Sequence, residues 1–235
     1  MNKSLLHTPE GVRDVYGEEY ARKLFVEKKL HDTIHLYGYQ DIQTPTFEFF
    51  DVYSKEIGTT PSSQLYKFFD KEGNTLALRP DFTPSCARCA AKYFMDEDMP
   101  VRLCYNGNIF INNMSLRGSL KESTVMGAEM INDTTTDADA EMVAMLIQSL
   151  QVSGLTEFQV EIGQVDFFNG LVEEAGFNEQ ETDELRTLIE QKNYFGVEEM
   201  LSAKELPEQL KQALLSMPKL FGGISQIHEA ASLTD

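Results

Sequence analysis

Asp81 and Thr83 carry side chains whose spacing suits the binding of a small cation. They follow the run Thr75 to Leu78 and lie two residues apart, so on an extended backbone both side chains would share one face. A carboxylate and a hydroxyl on one face can both accept hydrogen bonds. The pair therefore indicates a site that could hold an ammonium group.

Glu129 offers a second carboxylate on another predicted strand. It follows Gly127 by two residues, so the two positions lie on the same face of that strand. A glycine inside a strand often marks the close approach of a ligand or of another backbone. Gly127 would therefore let a ligand lie against the backbone beside the Glu129 carboxylate.

A helix start is an alternative explanation for Asp81 and Thr83. The segment from Arg79 to Asp81 could be the exit from a strand, with Asp81 or Thr83 capping a helix that begins near Pro84. Asp and Thr are favoured as capping residues, and proline is favoured in the first helical turn. The local sequence taken alone favours this interpretation over a ligand site.

Two predicted hairpins and one helix would position these side chains. Residues 66–83 contain two β-rich arms separated by turn residues around Gly73, which predicts a hairpin. Residues 101–111 and 123–131 are predicted to pair as a longer antiparallel hairpin. An alanine-rich helix is expected over residues 84–94.

The segment 41–53 is predicted to be a strand interrupted by Pro45. Proline has no N–H to give to a ladder, so within sheets it is confined to edges and bulges. This segment is therefore a candidate edge or subunit-interface strand, with a simple surface bulge as the alternative. The remaining predicted elements are helices over 18–36 and 138–150, a strand over 158–165, and four short helices after residue 166.

The chain is expected to divide into a sheet-containing core over residues 1–165 and an acidic helical lobe over residues 166–235. Residues 137–205 hold 16 Asp and Glu against 3 Lys and Arg, which indicates a solvated acidic surface on helices. The net charge of the whole chain is −18. Because phosphate backbones are bound chiefly through Lys and Arg, nucleic acid is not expected as a partner.

The sequence also indicates a compartment. No stretch approaches the roughly 18 apolar residues of a membrane span, and the N-terminus lacks a basic region followed by an apolar one, so the chain is expected in the cytoplasm. The three cysteines, Cys86, Cys89 and Cys104, suit a reducing compartment. Cys86 and Cys89 have C-x-x-C spacing, but without a second pair nearby they are interpreted as small core residues.

His31 and His35 are spaced i, i+4 on the predicted helix 18–36, and that spacing could chelate a metal ion. A metal site would need a third ligand, and no acidic third ligand is expected to accompany the two histidines. They are therefore predicted to be surface histidines, and no metal site is expected.

The order of these elements resembles the catalytic core of the class II aminoacyl-tRNA synthetases, specifically the histidyl type. Residues 8–14 (TPEGVRD) resemble that family's opening, and residues 42–58 resemble its first class motif, which forms a dimer interface. Residues 65–83, ending in LRPDFT, are similar to its substrate-amino-group segment, and residues 106–129 occupy its second class motif. The resemblance implies an α+β fold with an antiparallel sheet flanked by helices.

The same resemblance implies roles for three residues. Asp81, Thr83 and Glu129 fall on family positions that grip the α-amino group of histidine. Charge-assisted hydrogen bonds of this kind contribute roughly 1.5 to 3 kcal/mol each. Asp81 replaces the family's usual glutamate and is one methylene shorter, so the pocket would work with altered reach.

Three departures from the synthetase pattern affect the ATP site. Ile111 and Asn113 stand where the family places an arginine on the α-phosphate of ATP and a nearby glutamate, and Val125 replaces a glutamine. Isoleucine cannot donate a hydrogen bond to a phosphate. The loss of one preorganised donor typically costs on the order of 100-fold to 1000-fold in rate, so aminoacylation is expected to be abolished.

A retained amino-group clamp without ATP machinery resembles the regulatory-subunit family of the ATP phosphoribosyltransferases. That resemblance implies no catalysis by this chain, no cofactor, and L-histidine as a regulatory ligand. It also implies assembly, as a homodimer within a hetero-oligomer, with the short-form ATP phosphoribosyltransferase catalytic subunit, which the chain would activate and make sensitive to histidine. No membrane partner and no nucleic acid are expected.

Two alternatives stay open at this point. The chain could be a divergent histidyl-tRNA synthetase that positions ATP by other residues, or a binding module that kept the fold and lost the ligand. The family's core continues beyond residue 235 with a further strand and a third class motif. Part of the sheet and of the ligand pocket is therefore expected to lie outside this chain.

Overall fold

The computed structural model describes residues 6–54, 60–113 and 118–233 of the chain. The chain forms two compact units, Met1–Gln159 and Val160–Asp235. The sequence places the division a few residues later, between 165 and 166. Among the described residues, no helix is both long and apolar enough to cross a membrane.

The first unit contains six strands and four helices within its described residues. The strands are short at the start of the unit and long at its centre, where two strands of ten residues pair. In chain order the elements are α1 (Gly17–Leu36), β1 (Gln40–Asp41), β2 (Phe47–Phe49), α2 (Asp51–Ser54), β3 (Lys67–Phe69), β4 (Thr75–Leu78), α3 (Thr83–Tyr93), β5 (Val101–Phe110), β6 (Glu122–Ile131) and α4 (Thr136–Val152).

The described strands form two three-stranded sheets. In the first sheet β5 pairs antiparallel with β6 and parallel with β1, and in the second sheet β4 lies between β2 and β3, all antiparallel. Both predicted hairpins are therefore confirmed. The turn between β3 and β4 contains Gly73, whose φ of 87° suits glycine.

The segment around Pro45 is divided differently from the prediction. The expected single strand is split into β1, β2 and the short helix α2, and Pro45 lies in the connection between β1 and β2. Its missing N–H therefore costs no ladder hydrogen bond. Because β2 lies at one edge of the second sheet, an edge strand is confirmed in this segment. Its use as a subunit interface stays a prediction.

Arg79 follows β4 and is buried, with 7% of its surface exposed. Its Nη1 donates to the Thr44 carbonyl at 3.1 Å, and its Nε donates to the Asn108 carbonyl at 2.7 Å. The guanidinium carbon lies 4.0 Å from the centroid of the Phe82 ring. A buried cation is tolerated only when its donors are paired, and backbone carbonyls with an aromatic face provide that pairing here.

The main chain of Arg79 adds two further connections. Its N–H donates to the Thr46 carbonyl at 3.0 Å, and its carbonyl accepts the Phe110 N–H at 3.0 Å. Thr46 precedes β2 of the second sheet, whereas Phe110 ends β5 of the first. On β5, Gly107 makes room for the side chain, because a Cβ there would lie 2.8 Å from Nη2 of Arg79. Arg79 therefore ties the two sheets together.

The strand β6 separates two groups of packed side chains. Met126, Ala128 and Met130 pack against a cluster that includes residues of α1, β5 and α4, namely Ile34, Tyr39, Cys104 and Met145. Val125 packs against Phe82, Cys86 and Tyr105. Because side chains alternate along a strand, Glu129 shares the face of Val125. Cys86 is buried, as predicted for a small core residue, whereas Cys89, for which the same was predicted, is half-buried. Cys104 is also buried.

The second unit is helical within its described residues. Nine apolar side chains form its buried core, with Leu185, Leu201, Ala213 and Leu214 fully buried. The side chain of Asn178 caps the second of these helices and Glu181 caps in return. The helices are α5 (Val165–Glu174), α6 (Glu179–Glu190), α7 (Tyr194–Ser202), α8 (Glu208–Ser216) and α9 (Ser225–Ser232).

The predicted strand over residues 158–165 is wrong. Neither sheet includes this segment, and α5 already begins at Val165. Alternation of apolar residues such as Phe158 and Val160 indicates which side chains would share a face. It does not supply the neighbouring backbone that a strand must pair with, and the described strands of this chain do not pair with it.

Replacing Arg79 with Met should destabilise the first unit. The carbonyls of Thr44 and Asn108 would lose their donor, and each buried polar group left unpaired costs about 1 to 3 kcal/mol. The urea midpoint, followed by far-UV circular dichroism, should fall. Arg13→Met is the matched control because Arg13 is exposed and, within residues 6–54, 60–113 and 118–233, forms a salt bridge with Glu19 alone. Equal midpoints for the two variants would show that Arg79 does not tie the sheets.

Alkaline pH should destabilise the first unit because several of its buried thiols and phenols must stay protonated in the fold. Burial raises the pKa of Tyr39, Tyr53, Cys86 and Cys104 to about 12 each. An unfolded chain releases these protons at about pH 8.5 for thiols and about pH 10 for phenols. Deprotonation then favours the unfolded state, so stability is lost as pH rises from about 9 to 12.

Urea midpoints measured between pH 7 and pH 11 check this expectation. Tyr53→Phe removes one of the phenols, so its midpoint should fall less steeply above pH 10 than that of the unsubstituted chain. A midpoint that stays constant from pH 8 to pH 11 would contradict the proposed effect of burial.

Candidate functional site

Thr83 and Glu129 meet across two elements that are distant in sequence. Thr83 is the first residue of α3 and Glu129 lies near the end of β6. The Thr83 hydroxyl donates to Oε1 of Glu129 at 2.6 Å. The structure therefore brings together two of the three residues that the sequence singled out.

Asp81 lies two residues before the first residue of α3. Its Oδ1 accepts the N–H of Phe82 at 2.6 Å and the N–H of Thr83 at 3.4 Å. A helix does begin here, as the helix-start interpretation expects, but the capping role that it gives to Asp81 or Thr83 is wrong, because Phe82 is the N-cap residue and no side chain makes the cap bond. The expectation that Asp81 and Thr83 share the face of an extended strand is wrong, because Thr83 is already helical. A carboxylate that accepts amide protons at a helix start is also favoured by the helix dipole.

Tyr105 is a member of this site that the sequence analysis missed. Its hydroxyl donates to Oε1 of Glu129 at 3.3 Å. Burial raises the pKa of Tyr105 above its usual value, and the charges of Glu129 and Asp81 raise that pKa further. Tyr105 is therefore a neutral donor at physiological pH, and it holds the same carboxylate oxygen that Thr83 holds.

Gly127 accommodates Tyr105. The two residues lie directly opposite each other in the pairing of β5 with β6. A Cβ at Gly127 would collide with the Tyr105 hydroxyl and would lie 2.6 Å from Cζ of the ring. The expectation that a ligand lies against the backbone at Gly127 is therefore corrected, because the tyrosine ring fills that space. Cross-strand register is the signal that would have identified this pair.

An aromatic stack supports the tyrosine from the side of the helix start. The rings of Phe82 and Tyr105 are 4.3 Å apart and nearly parallel, with an interplanar angle of 6°. The Arg79 guanidinium packs on the Phe82 ring. The side chain that ties the two sheets therefore also fixes the aromatic wall of the candidate site.

The two carboxylates give the candidate site a negative charge. Within the described part of the chain, neither Asp81 nor Glu129 takes part in a salt bridge. A small hollow lies beside Asp81 and is lined by Tyr53, Thr60, Pro80 and Pro84. This arrangement can accept hydrogen bonds from a small cationic group. Among the described residues, no Lys, Arg or His forms a salt bridge that would neutralise either carboxylate.

The three residues that depart from the synthetase pattern are either apolar or have a side-chain atom without a hydrogen-bond partner among the described residues. The Ile111 side chain carries no donor, and its backbone N–H donates to the Lys121 carbonyl at 2.9 Å. Val125 packs against the cluster that contains Phe82 and Tyr105. Oδ1 of Asn113 is buried and has no hydrogen-bond partner among the described residues.

His31 and His35 do have an acidic neighbour, contrary to the prediction. Oδ1 of Asp41 lies 2.8 Å from Nε2 of His31, and Oδ2 of Asp41 lies 3.2 Å from Nε2 of His35. Asp41 comes from β1, beyond the end of the helix, so the helical spacing of the two histidines does not reveal it.

Comparison with known proteins identifies the family. A protein-family model described as histidyl-tRNA synthetase matches residues 11–235. The chain belongs to this family. A curated relative from Ruminiclostridium cellulolyticum, named ATP phosphoribosyltransferase regulatory subunit, is 42% identical over 229 residues, which cover 97% of this chain and 55% of the relative. A relative of the same name from Acetivibrio thermocellus is 41% identical over 222 residues, covering 94% of this chain and 53% of that protein.

A solved structure agrees with the sequence relatives. The crystal structure of an ATP phosphoribosyltransferase regulatory subunit/histidyl-tRNA synthetase from Bacillus halodurans is similar with a TM-score of 0.87 and 36% identity, covering 97% of this chain and 59% of that one. The predicted α+β class II synthetase-like fold and the resemblance to the regulatory subunits are confirmed. The chain spans about half the length of the curated relatives named above.

Replacing Gly127 with Ala should displace the Tyr105 ring and lower stability by about 1 to 3 kcal/mol, because overpacking forces side chains out of their rotamers. Urea unfolding followed by circular dichroism measures the loss. Gly163→Ala is a suitable control, since no heavy atom lies within 4 Å of a Cβ at Gly163.

A second substitution tests the cause of that loss. In a Tyr105→Ala background the collision partner is gone, so the further cost of Gly127→Ala should become much smaller. An unchanged cost in that background would show that the tyrosine ring is not what requires the glycine.

Proposed function

We propose that this chain is part of the regulatory subunit of an ATP phosphoribosyltransferase in L-histidine biosynthesis. In this role it has no catalytic activity, binds L-histidine, and assembles with a short-form catalytic subunit in the cytoplasm. The names of its relatives support the regulatory role. The bond between Thr83 and Glu129, close to the carboxylate of Asp81, is the observation that carries the ligand assignment.

The amino group of a histidine ligand would bind at the Glu129 carboxylate. Glu129 accepts hydrogen bonds from the Thr83 and Tyr105 hydroxyls, and a carboxylate oxygen pair retains capacity for further donors. An ammonium group could take the place of the Thr83 hydroxyl as donor, and Thr83 could then accept. Each charge-assisted bond formed in this way contributes roughly 1.5 to 3 kcal/mol.

The positions that a synthetase would use for ATP support a non-catalytic role. Ile111 carries no side-chain donor for a phosphate, and Val125 is packed among apolar side chains. Both positions lie on or beside the long hairpin of β5 and β6, on which Glu129 also lies. The chain would therefore keep the recognition of an amino group on a scaffold that lacks these contacts to a nucleotide.

Regulation requires that the ligand distinguish two states of the assembly. Histidine can shift the equilibrium between an active and an inhibited form only by as much as its affinity differs between them. Because Thr83 begins α3 and Glu129 lies on β6, a bound amino group would connect a helix to a sheet. A change in the position of α3 is the proposed route by which occupancy alters the complex.

A divergent histidyl-tRNA synthetase is the second candidate, because the family model that matches the chain is described by that activity. Histidine-dependent exchange of pyrophosphate into ATP would distinguish the two proposals. The regulatory proposal expects no exchange. The net charge of −18 also favours a protein partner over tRNA.

L-Histidine should raise the melting temperature of the chain, whereas Mg-ATP should not. A ligand at 100 times its Kd stabilises the native state by about 2.7 kcal/mol, which is roughly 5 to 10 °C for a chain of this size. Glu129→Gln and Thr83→Val should each reduce the shift with histidine. Glu122→Gln, at the start of the same strand, is the matched control and should keep the full shift.

The same variants test the regulatory role in the assembled enzyme. Glu129→Gln should weaken feedback inhibition by histidine, while size-exclusion chromatography should still show the complex with the short-form catalytic subunit. Unchanged histidine sensitivity would overturn the assignment of the site. Failure to form any complex, with histidine binding intact, would instead overturn the assignment of the partner.

A further inference from the structure

His31, His35 and Asp41 form a cluster of potential metal ligands. One ligand atom from each residue lies within 4.8 Å of the others. Oδ1 of Asp41 lies 2.8 Å from Nε2 of His31, and Oδ2 of Asp41 lies 3.2 Å from Nε2 of His35. In a tetrahedral zinc site with bonds of about 2.0 to 2.1 Å, neighbouring ligand atoms lie about 3.3 Å apart, so these separations already suit a shared ion.

The end of α1 places the two histidines. Their i, i+4 spacing puts both imidazoles on one side of the helix, and the ring centroids are 4.2 Å apart. Both residues lie toward the C-terminal end of α1, which closes at Leu36. A helix C-terminus carries a partial negative charge that favours a nearby cation.

A tight chain reversal brings Asp41 to the same place. Gly38 follows the helix with a φ of 81°, and its N–H donates to the His35 carbonyl at 3.0 Å. Tyr39, next in the chain, is buried and anchors the return. The strand β1 then begins, so Asp41 is held within a few residues of the helix end.

The sheet fixes the backbone of the third ligand. Asp41 is the register partner of Cys104 on β5, and the next N–H, from Ile42, donates to the Cys104 carbonyl at 2.8 Å. The Cys104 thiol also donates to Oδ1 of Asp41 at 3.6 Å, a contact long even for sulfur. A side chain whose backbone and carboxylate are already held by hydrogen bonds loses less conformational entropy when it binds an ion.

We propose that His31, His35 and Asp41 bind a zinc-class transition-metal ion on the surface of the first unit. Two imidazoles and one carboxylate suit zinc, cobalt, nickel and copper, whereas magnesium and calcium prefer oxygen ligands alone. Three protein ligands leave at least one coordination position open to solvent or to a ligand from another molecule. The exposed fractions of the three side chains, 41%, 39% and 59%, let an ion enter from solvent.

The site is independent of the proposed histidine site. Its residues come from α1 and β1, whereas Thr83 and Glu129 lie on α3 and β6. Loss of metal binding would therefore leave the proposed regulatory role unaffected. Free L-histidine must be absent from metal titrations, because the amino acid itself chelates zinc-class ions.

Titration of the chelator-treated full chain with zinc ions, by isothermal calorimetry, tests the proposal. One ion should bind per chain, and magnesium should give no heat of binding. His35→Gln and Asp41→Asn should each weaken zinc binding by about tenfold or more, since each removes a ligand while keeping a similar shape. The matched control is His228→Gln, on α9 in the second unit, which should bind zinc as the unsubstituted chain does.

Cobalt gives a second readout that reports the ligand type. Cobalt bound by nitrogen and oxygen should show weak visible absorption, without the intense near-ultraviolet band of a thiolate ligand. Because the Cys104 thiol lies 3.6 Å from Oδ1 of Asp41, the test is repeated in a Cys104→Ser variant. A strong thiolate band that persists in this variant would assign the ion to another cysteine, most simply in the C-x-x-C segment of Cys86 and Cys89, and would overturn the proposal. The absence of zinc binding in a folded chain, checked by circular dichroism, would overturn it as well.

Discussion

The buried guanidinium of Arg79 is the interaction on which the rest of the first unit depends. It lies between two small sheets, neither of which has more than three described strands. Its donors reach carbonyls before β2 and on β5, and its own backbone bonds to both sides as well. Burial lowers the pKa of Arg79 from its ordinary value, yet an arginine stays charged at any physiological pH. The fold therefore holds a permanent cation against carbonyl dipoles and an aromatic face.

The same residue connects the architecture with the candidate site. Arg79 packs on Phe82, Phe82 stacks on Tyr105, and Tyr105 donates to Glu129. Packed side chains of this kind have few alternative arrangements, because protein interiors are as dense as organic crystals. The position of the Glu129 carboxylate is therefore set by contacts that begin at the junction of the two sheets.

The features that the sequence predicted depend on interactions between neighbouring residues, whereas most of those it missed depend on how separate elements pair and pack. The turn around Gly73 and the helix after Pro84 depend on neighbouring residues, so propensity and turn chemistry predicted them. The Tyr105–Gly127 pair depends on strand register, which joins distant residues. The approach of Asp41 to two histidines depends on the chain reversal at Gly38, which helical spacing alone does not specify. The strand expected over residues 158–165 failed for a related reason, since alternation cannot specify a pairing partner. The roles of Asp81, Thr83 and Glu129 in binding stay predictions.

The pairing of Tyr105 with Gly127 also has a consequence for how the long hairpin assembles. Eleven residues, 111–121, separate β5 from β6 in the sequence, so the connection is much longer than the two-residue loops that fix strand alignment by themselves. A slip of one residue would place the tyrosine opposite Met126 or Ala128 and turn Glu129 toward the opposite face. The Tyr105 ring fits opposite Gly127 in a single alignment of the two strands. This pair therefore disfavours pairings that are shifted by one residue.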